Sequence, residues 1–224
     1  MDTTNASTKA RPDTHEMVLI HRGHRRESRL LVELIAAAGP GDTARARDLA
    51  EHFRDYRLGL HNHHVGEDEL LWPLLLSRVD LEADVVLLME AQHEKIASTL
   101  ARADAALPGW EATAGEEERD ALVAALVEHR AVLVEHLDDE ERSLLPLAEQ
   151  HLSVREWDAL GDHFRANTPK TKLLFFLGVL LEDADDCERS TILSALPLPA
   201  RLLWYAVGRP QYARRIRRVR RIRR

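Results

Sequence analysis

Residues 61–73 read HNHHVGEDELLWP, and one spacing inside them decides the fold. His63 and Glu67 stand four residues apart, which on an α-helix puts both on one face, one turn from each other. The pattern returns at 135–146 as EHLDDEERSLLP, with His136 and Glu140 four apart. In each copy a proline follows the histidine by ten residues (73 − 63 and 146 − 136), and the copies are offset by 136 − 63 = 73. Upstream, His21 and His93 are offset by 72. The chain reads as two helical hairpins, each with a lone histidine on one helix and His-x-x-x-Glu on the next, related by a pseudo-two-fold axis.

Punctuation around these motifs gives the helix limits. Asp13-Thr14-His15-Glu16 has the form of a capping box, and Val18, Leu19, Leu30, Leu31, Leu34 and Ile35 then recur at helical spacing. Gly39-Pro40-Gly41 stops that helix. Asp42 or Thr43 opens a second, running to about Val79. Asp80 is placed to cap a third that ends near Leu107-Pro108-Gly109, and a fourth runs from about Gly115-Glu116 to His151. Ser153-Val154-Arg155-Glu156 is another capping box, and Thr168-Pro169 opens a further helix with Pro at its first position. No stretch alternates with period two. The expected fold is all-α: an antiparallel four-helix bundle over 14–151, preceded by a disordered 1–13 and followed by a 152–224 extension of shorter helices with a basic tail at 214–224.

Composition narrows the class. Of 224 residues, 45% are hydrophobic and only 5% aromatic, with one cysteine, Cys187, read as a plain thiol with no disulfide partner. The leading MDTTNASTKARPD is polar and unlike a signal peptide, and the apolar run LLFFLGVLL at 173–181 is too short to span a bilayer. These features fit a soluble cytoplasmic protein. No Gly-rich phosphate loop, CxxC or Ser/His/Asp arrangement supports nucleotide, thiol-redox or hydrolase chemistry.

The converging set is His21, His63, Glu67, His93, His136 and Glu140. Four imidazoles and two carboxylates without thiolates suit a two-iron or two-manganese site, zinc being a further candidate, with the glutamates bridging and the histidines terminal. His24 competes with His21, and the 72-residue match favours His21. Tyr56 lies on the His63/Glu67 stripe, as a metal ligand or as an ordinary bundle residue with its hydroxyl near solvent. His129 has the same relation to His136 and reads as a residue beside the ligands, nearer the surface than the metal. Glu90 is placed either to orient His93 or as an exposed acid. His64, about 100° round from His63, falls outside the ligand set, and His15, His52, His61 and His151 are expected to face solvent.

HRGHRRE around His21, HHVGEDELLWP around His63, EAQHEKI around His93 and EHLDDEERSLLP around His136 together resemble the hemerythrin-like HHE cation-binding family over residues 14–150. FLGVLLED and LPLPARLLWYAVGR resemble, more weakly, the C-terminal extension of its actinobacterial members. The resemblance implies a four-helix bundle around a non-heme di-iron centre. Oxygen-carrying hemerythrins place a second histidine four residues after the third-helix ligand, where this chain has Ala97, and an Asp five after the last histidine, where it has Glu141. This departure implies an open or differently filled metal position. It favours reaction with hydrogen peroxide, O2 or NO, catalase-like in the first case, over reversible oxygen carriage. The alternatives are an iron, oxygen or redox sensor without enzymatic activity, and a metal store.

The tail RRIRRVRRIRR at 214–224 places Ile216, Val219 and Ile222 every three residues among eight arginines. The favoured reading docks that stripe on the acidic body. The competing one sends it to an anionic membrane surface or a nucleic acid.

Overall fold

The computed structural model describes residues 11–79 and 82–221. The expected cap at Asp80, residues 1–10 of the expected disordered N-terminus, and Ile222 of the tail stripe lie outside them. Helix α1 (His15–Ala36), α2 (Thr43–Gly66), α3 (Trp72–Leu76), α4 (Ala83–Thr113), α5 (Glu116–Asp139) and α6 (Leu145–His151) precede five shorter helices. Those are α7 (Val154–Asn167), α8 (Lys170–Glu182), α9 (Asp186–Ala195), α10 (Leu198–Leu203) and α11 (Arg209–Val219). No strand occurs among the described residues. Helices α1, α2, α4 and α5 pack in a closed ring, α1 on α2, α2 on α4, α4 on α5 and α5 on α1, which is the expected bundle.

Local chemistry sets the limits. Asp42 caps α2 by accepting from the Arg45 amide at 3.0 Å, and Ser153 with Glu156 forms a full capping box on α7. Gly41, with φ +74°, supplies the left-handed turn between α1 and α2 that a side chain would strain. The capping box expected at Asp13–Glu16 does not form: the Thr14 hydroxyl is drawn away to Glu149 at 2.7 Å, and Asp13 accepts from the His15 amide instead. Pro169 is the cap of α8 rather than its first residue.

Three expected helix ends are corrected. Helix α4 runs through Pro108 to Thr113, because the ring faces solvent while Leu107 and Trp110 on either side are fully buried and hold the axis. The second and fourth helices do not run straight to Val79 and His151. Each is interrupted by one π-helical turn, Glu67–Leu71 and Glu140–Leu144, before resuming as α3 and α6. The amides of Trp72 and Leu145 reach back five residues, to the carbonyls of Glu67 and Glu140. In each case the residue after the π-turn lies next to the proline, whose ring would crowd an ordinary α-turn.

Two apolar clusters fill the bundle. Leu31, Phe53, Leu60, Ile96, Leu133 and Leu137 belong to one, and Met17, Leu71, Trp72, Met89, Leu144 and Leu145 to the other. Along every helix of the ring the residues of the repeated motif fall between them. The C-terminal helices form a third, smaller cluster around Leu181, Leu193 and Trp204 and lie along α1 and α2. Gly59 of α2 permits that approach: a Cβ there would sit 2.6 Å from the Phe176 ring. Helix α11 docks as favoured, with Val219 buried in the main core and Arg215 and Arg218 on Asp55, Asp48 and Glu51.

Candidate metal centre

The polar layer between the two apolar clusters brings together histidines and glutamates from all four helices of the ring and the π-turns that follow two of them. His64, Glu67, His93 and His136 bring donor atoms within 4.8 Å of one another, as do His21, His63 and Glu140. All seven are buried, Glu67, His136, Glu140 and His21 completely. The two carboxylates span the groups. Glu67 faces His63 Nδ1 through Oε1 at 3.4 Å and His93 Nε2 through Oε2 at 3.4 Å. Glu140 Oε2 lies 3.3 Å from His21 Nε2 and 3.4 Å from His136 Nε2. Both glutamates are the first residues of the π-turns, so the two halves of the repeat present their carboxylates by the same backbone device.

A second layer fixes the rings. His93 Nδ1 lies 2.6 Å from Asp68 Oδ1, which also accepts from the Trp72 indole at 2.8 Å. His21 Nδ1 lies 2.9 Å from Glu141 Oε1, itself held by Arg25 at 2.6 Å. His136 Nδ1 lies 3.1 Å from Gln92 Oε1, whose amide donates to Asp139. Each Nδ1 is thereby engaged outward, and each Nε2 is turned into the layer.

The layer is electrostatically incomplete. Both oxygens of Glu67 and of Glu140, and Nε2 of His21, His63 and His64, are buried without a hydrogen-bond partner. Burial, with Glu140 and Asp68 nearby, pushes the Glu67 carboxyl well above its ordinary range. Burial also raises Glu140, but the charge of His21 beside it, with His136 and His93, outweighs that and leaves it lowered. Burial and the crowd of neighbouring imidazoles hold His63 and His64 well below the usual histidine range, and burial brings His136 down to about 4. Inward-facing imidazole nitrogens opposite two carboxylates form a donor set for hard and borderline cations, and such orphaned groups are costly unless a cation completes them.

The structure revises several expected positions. His64 lies inside the layer, its ring stacked on His93 with centroids 4.1 Å apart, because the inward direction of α2 falls between residues 63 and 64. His63 leans toward His21 and His24, and His64 toward His93 and His136. Ala97 is exposed, so it marks no gap in the layer. His24 stacks on His63 at 5.2 Å outside both donor groups, and burial with the nearby His21 holds it at about 3. Tyr56 is neither a member of these groups nor near solvent. Its hydroxyl lies 2.7 Å from Nε2 of His129, which is fully buried rather than near the surface. His52 is likewise buried and 2.6 Å from Glu27, whereas His15 and His61 are exposed. Glu90 is half-buried, and Asp68, not Glu90, takes the His93 Nδ1. Asp68 and Gln92 went unread in the sequence, although Asp68 stands four before Trp72, the spacing of a helical side-chain contact.

The fold and this layer define a helical-bundle protein with a buried cation-binding centre. The family model of the hemerythrin HHE cation-binding domain matches residues 13–148, more than half of the chain, and the chain belongs to that family. Neither a curated protein nor a solved structure matches it.

Proposed function

We propose that the centre holds two iron ions and that the loaded protein reacts with a small oxidant, hydrogen peroxide first, with O2 and NO as alternative ligands. The observation that supports this most is the set of buried, unpartnered oxygens of Glu67 and Glu140, each carboxylate facing both groups of imidazoles. His64, His93 and His136 would serve one ion, His21 and His63 the other, and the two glutamates both. When bound, such a pair supplies two one-electron equivalents to an oxidant.

The chain's own residues shape that chemistry. Asp68, Glu141 and Gln92 hold the protons of His93, His21 and His136 on Nδ1, which keeps each Nε2 lone pair inward. Leu71, Trp72, Leu144 and Leu137 close the layer above and below and exclude water from it. The His21/His63 side has one imidazole fewer, which leaves that side for the small molecule. Between Tyr56 and His129 the proton belongs to the phenol: burial raises the tyrosine and brings the histidine down to about 4.

Iron analysis and the optical spectrum of the purified protein test the proposal, with His64→Ala and Glu140→Ala alongside. About two irons per chain, falling in both variants, and oxygen evolution on adding peroxide are expected. A protein that takes up no iron on anaerobic loading overturns the metal reading, and a loaded protein that evolves no oxygen overturns the catalase-like one.

A further inference from the structure

Helices α10 and α11 are one continuous helical rod, joined through a π-helical turn at Trp204–Gly208 with αR geometry at both junctions. One side of it is buried, through Trp204, Gly208 and Val219. The other side is unlike the rest of the surface. Four of the nine large apolar side chains exposed on the described chain fall within eight residues there: Leu198, Leu202, Leu203 and Tyr205, at 57, 60, 49 and 51% exposure. Further along, Arg209, Arg214, Arg217 and Arg221 are exposed and make no ion pair among the described residues. The arginines thus divide by task. Arg215, Arg218 and Arg220 hold the rod on Asp55, Asp48, Glu51 and Glu182, and the others point away.

We propose that this face seats the protein on an anionic lipid bilayer, with the leucines and Tyr205 at the hydrocarbon boundary and the free arginines among the headgroups. Charge separation within the chain supports that occupant. Residues 189–224 carry eleven arginines and no acid, so the other 188 residues hold 31 − 11 = 20 basic against 38 acidic side chains. An anionic surface repels that body and attracts only this end, which fixes the orientation. A nucleic acid would engage the arginines but offers nothing to a cluster of exposed leucines. A second copy of the chain could cover the leucines only by bringing two arginine arrays together. The rod lies on the surface rather than across it, since no helix among the described residues is long and apolar enough to span a membrane. This surface binding is independent of the metal centre. It also differs from the tail reading of the sequence, since Val219 of the apolar stripe is spent on the bundle core and the exposed apolar contact comes from α10.

Flotation of the full-length protein with vesicles of phosphatidylglycerol and phosphatidylcholine, against pure phosphatidylcholine, tests this. Binding is expected only to the anionic vesicles and to weaken steeply with salt. The double variant Leu202→Glu/Leu203→Glu should lose at least about tenfold in affinity, as should Arg209→Glu/Arg217→Glu, with unchanged circular dichroism because all four side chains are exposed. No binding to anionic vesicles, or leucine variants that bind like the parent, overturns the proposal. So does duplex DNA bound tightly with the leucines irrelevant, and so does a dimer in sedimentation that the leucine variants dissolve, which would assign the face to a second copy.

Discussion

Replacing Glu27 with Gln in the metal-free protein tests the ionic joint between the bundle and its C-terminal helices. Glu27 is on α1, its side chain 5% exposed, with His52 Nε2 of α2 at 2.6 Å, Arg26 Nε at 2.8 Å and Arg220 just beyond α11 at 3.5 Å. Burial alone would raise its carboxyl. The hydrogen bond and charge of His52, with those of Arg26, reverse that and bring it from 4.5 to about 2. A displacement of ~2.5 units at ~1.36 kcal/mol each corresponds to about 3 kcal/mol in favour of the folded state, with little loss to solvent screening at this burial. Because the folded value is the lower one, the contribution is complete above the unfolded carboxylate value. It drains as pH falls from about 4.5 toward 2. Urea unfolding followed by circular dichroism at pH 7 should show Glu27→Gln less stable by about 3 kcal/mol. The parent should lose that difference on acidification and the variant should not. A variant within about 1 kcal/mol of the parent at pH 7, or one with the parent's full acid dependence, refutes the reasoning.

Tyr56→Phe leaves Nε2 of His129 buried without its hydroxyl partner and should cost about 1–3 kcal/mol in urea unfolding, while iron content stays at the parent's level. Asp68→Ala frees the His93 ring and should weaken iron binding about 10–100-fold in competition with a chelator. Gly178→Ala drives a Cβ into the Tyr212 ring between α8 and α11, and should lower stability by about 1–3 kcal/mol in thermal unfolding. His129, at about 4 when folded against ~6.5 when unfolded, makes its full contribution above pH ~6.5. That contribution drains as pH falls toward 4, so His129→Gln should flatten the acid profile of the metal-free protein over that window.

The four long helices and the convergence of their motifs were legible because i,i+4 spacing is a property of one helix and the 73-residue offset needs no coordinates. Capping at Asp42 and Ser153 was legible for the same reason. What was hidden depends on neighbours. The inward direction of α2 is set by α1 and α4 jointly, and it admits His64 beside His63, which rotation from one reference residue cannot show. His129 and Tyr56 stand on different helices 73 residues apart, and only the bundle reveals that each satisfies the other. Pro108 reads as a helix end until Trp110 is seen to be buried. The prolines after the two motifs read as terminators, whereas the π-turns let both helices resume.

The ordering of the centre's parts along the chain has a kinetic consequence. His63 with Glu67 and His136 with Glu140 are contacts within single helices, and they form as soon as those turns do. His21 and the Glu141 that orients it are 120 residues apart, so that half must await closure of nearly the whole bundle. The local pairs offer a cation an early, weak foothold, and the full donor set appears only when α1 meets α5. Iron added during refolding should be captured in two phases, the slower one matching the appearance of native helix packing.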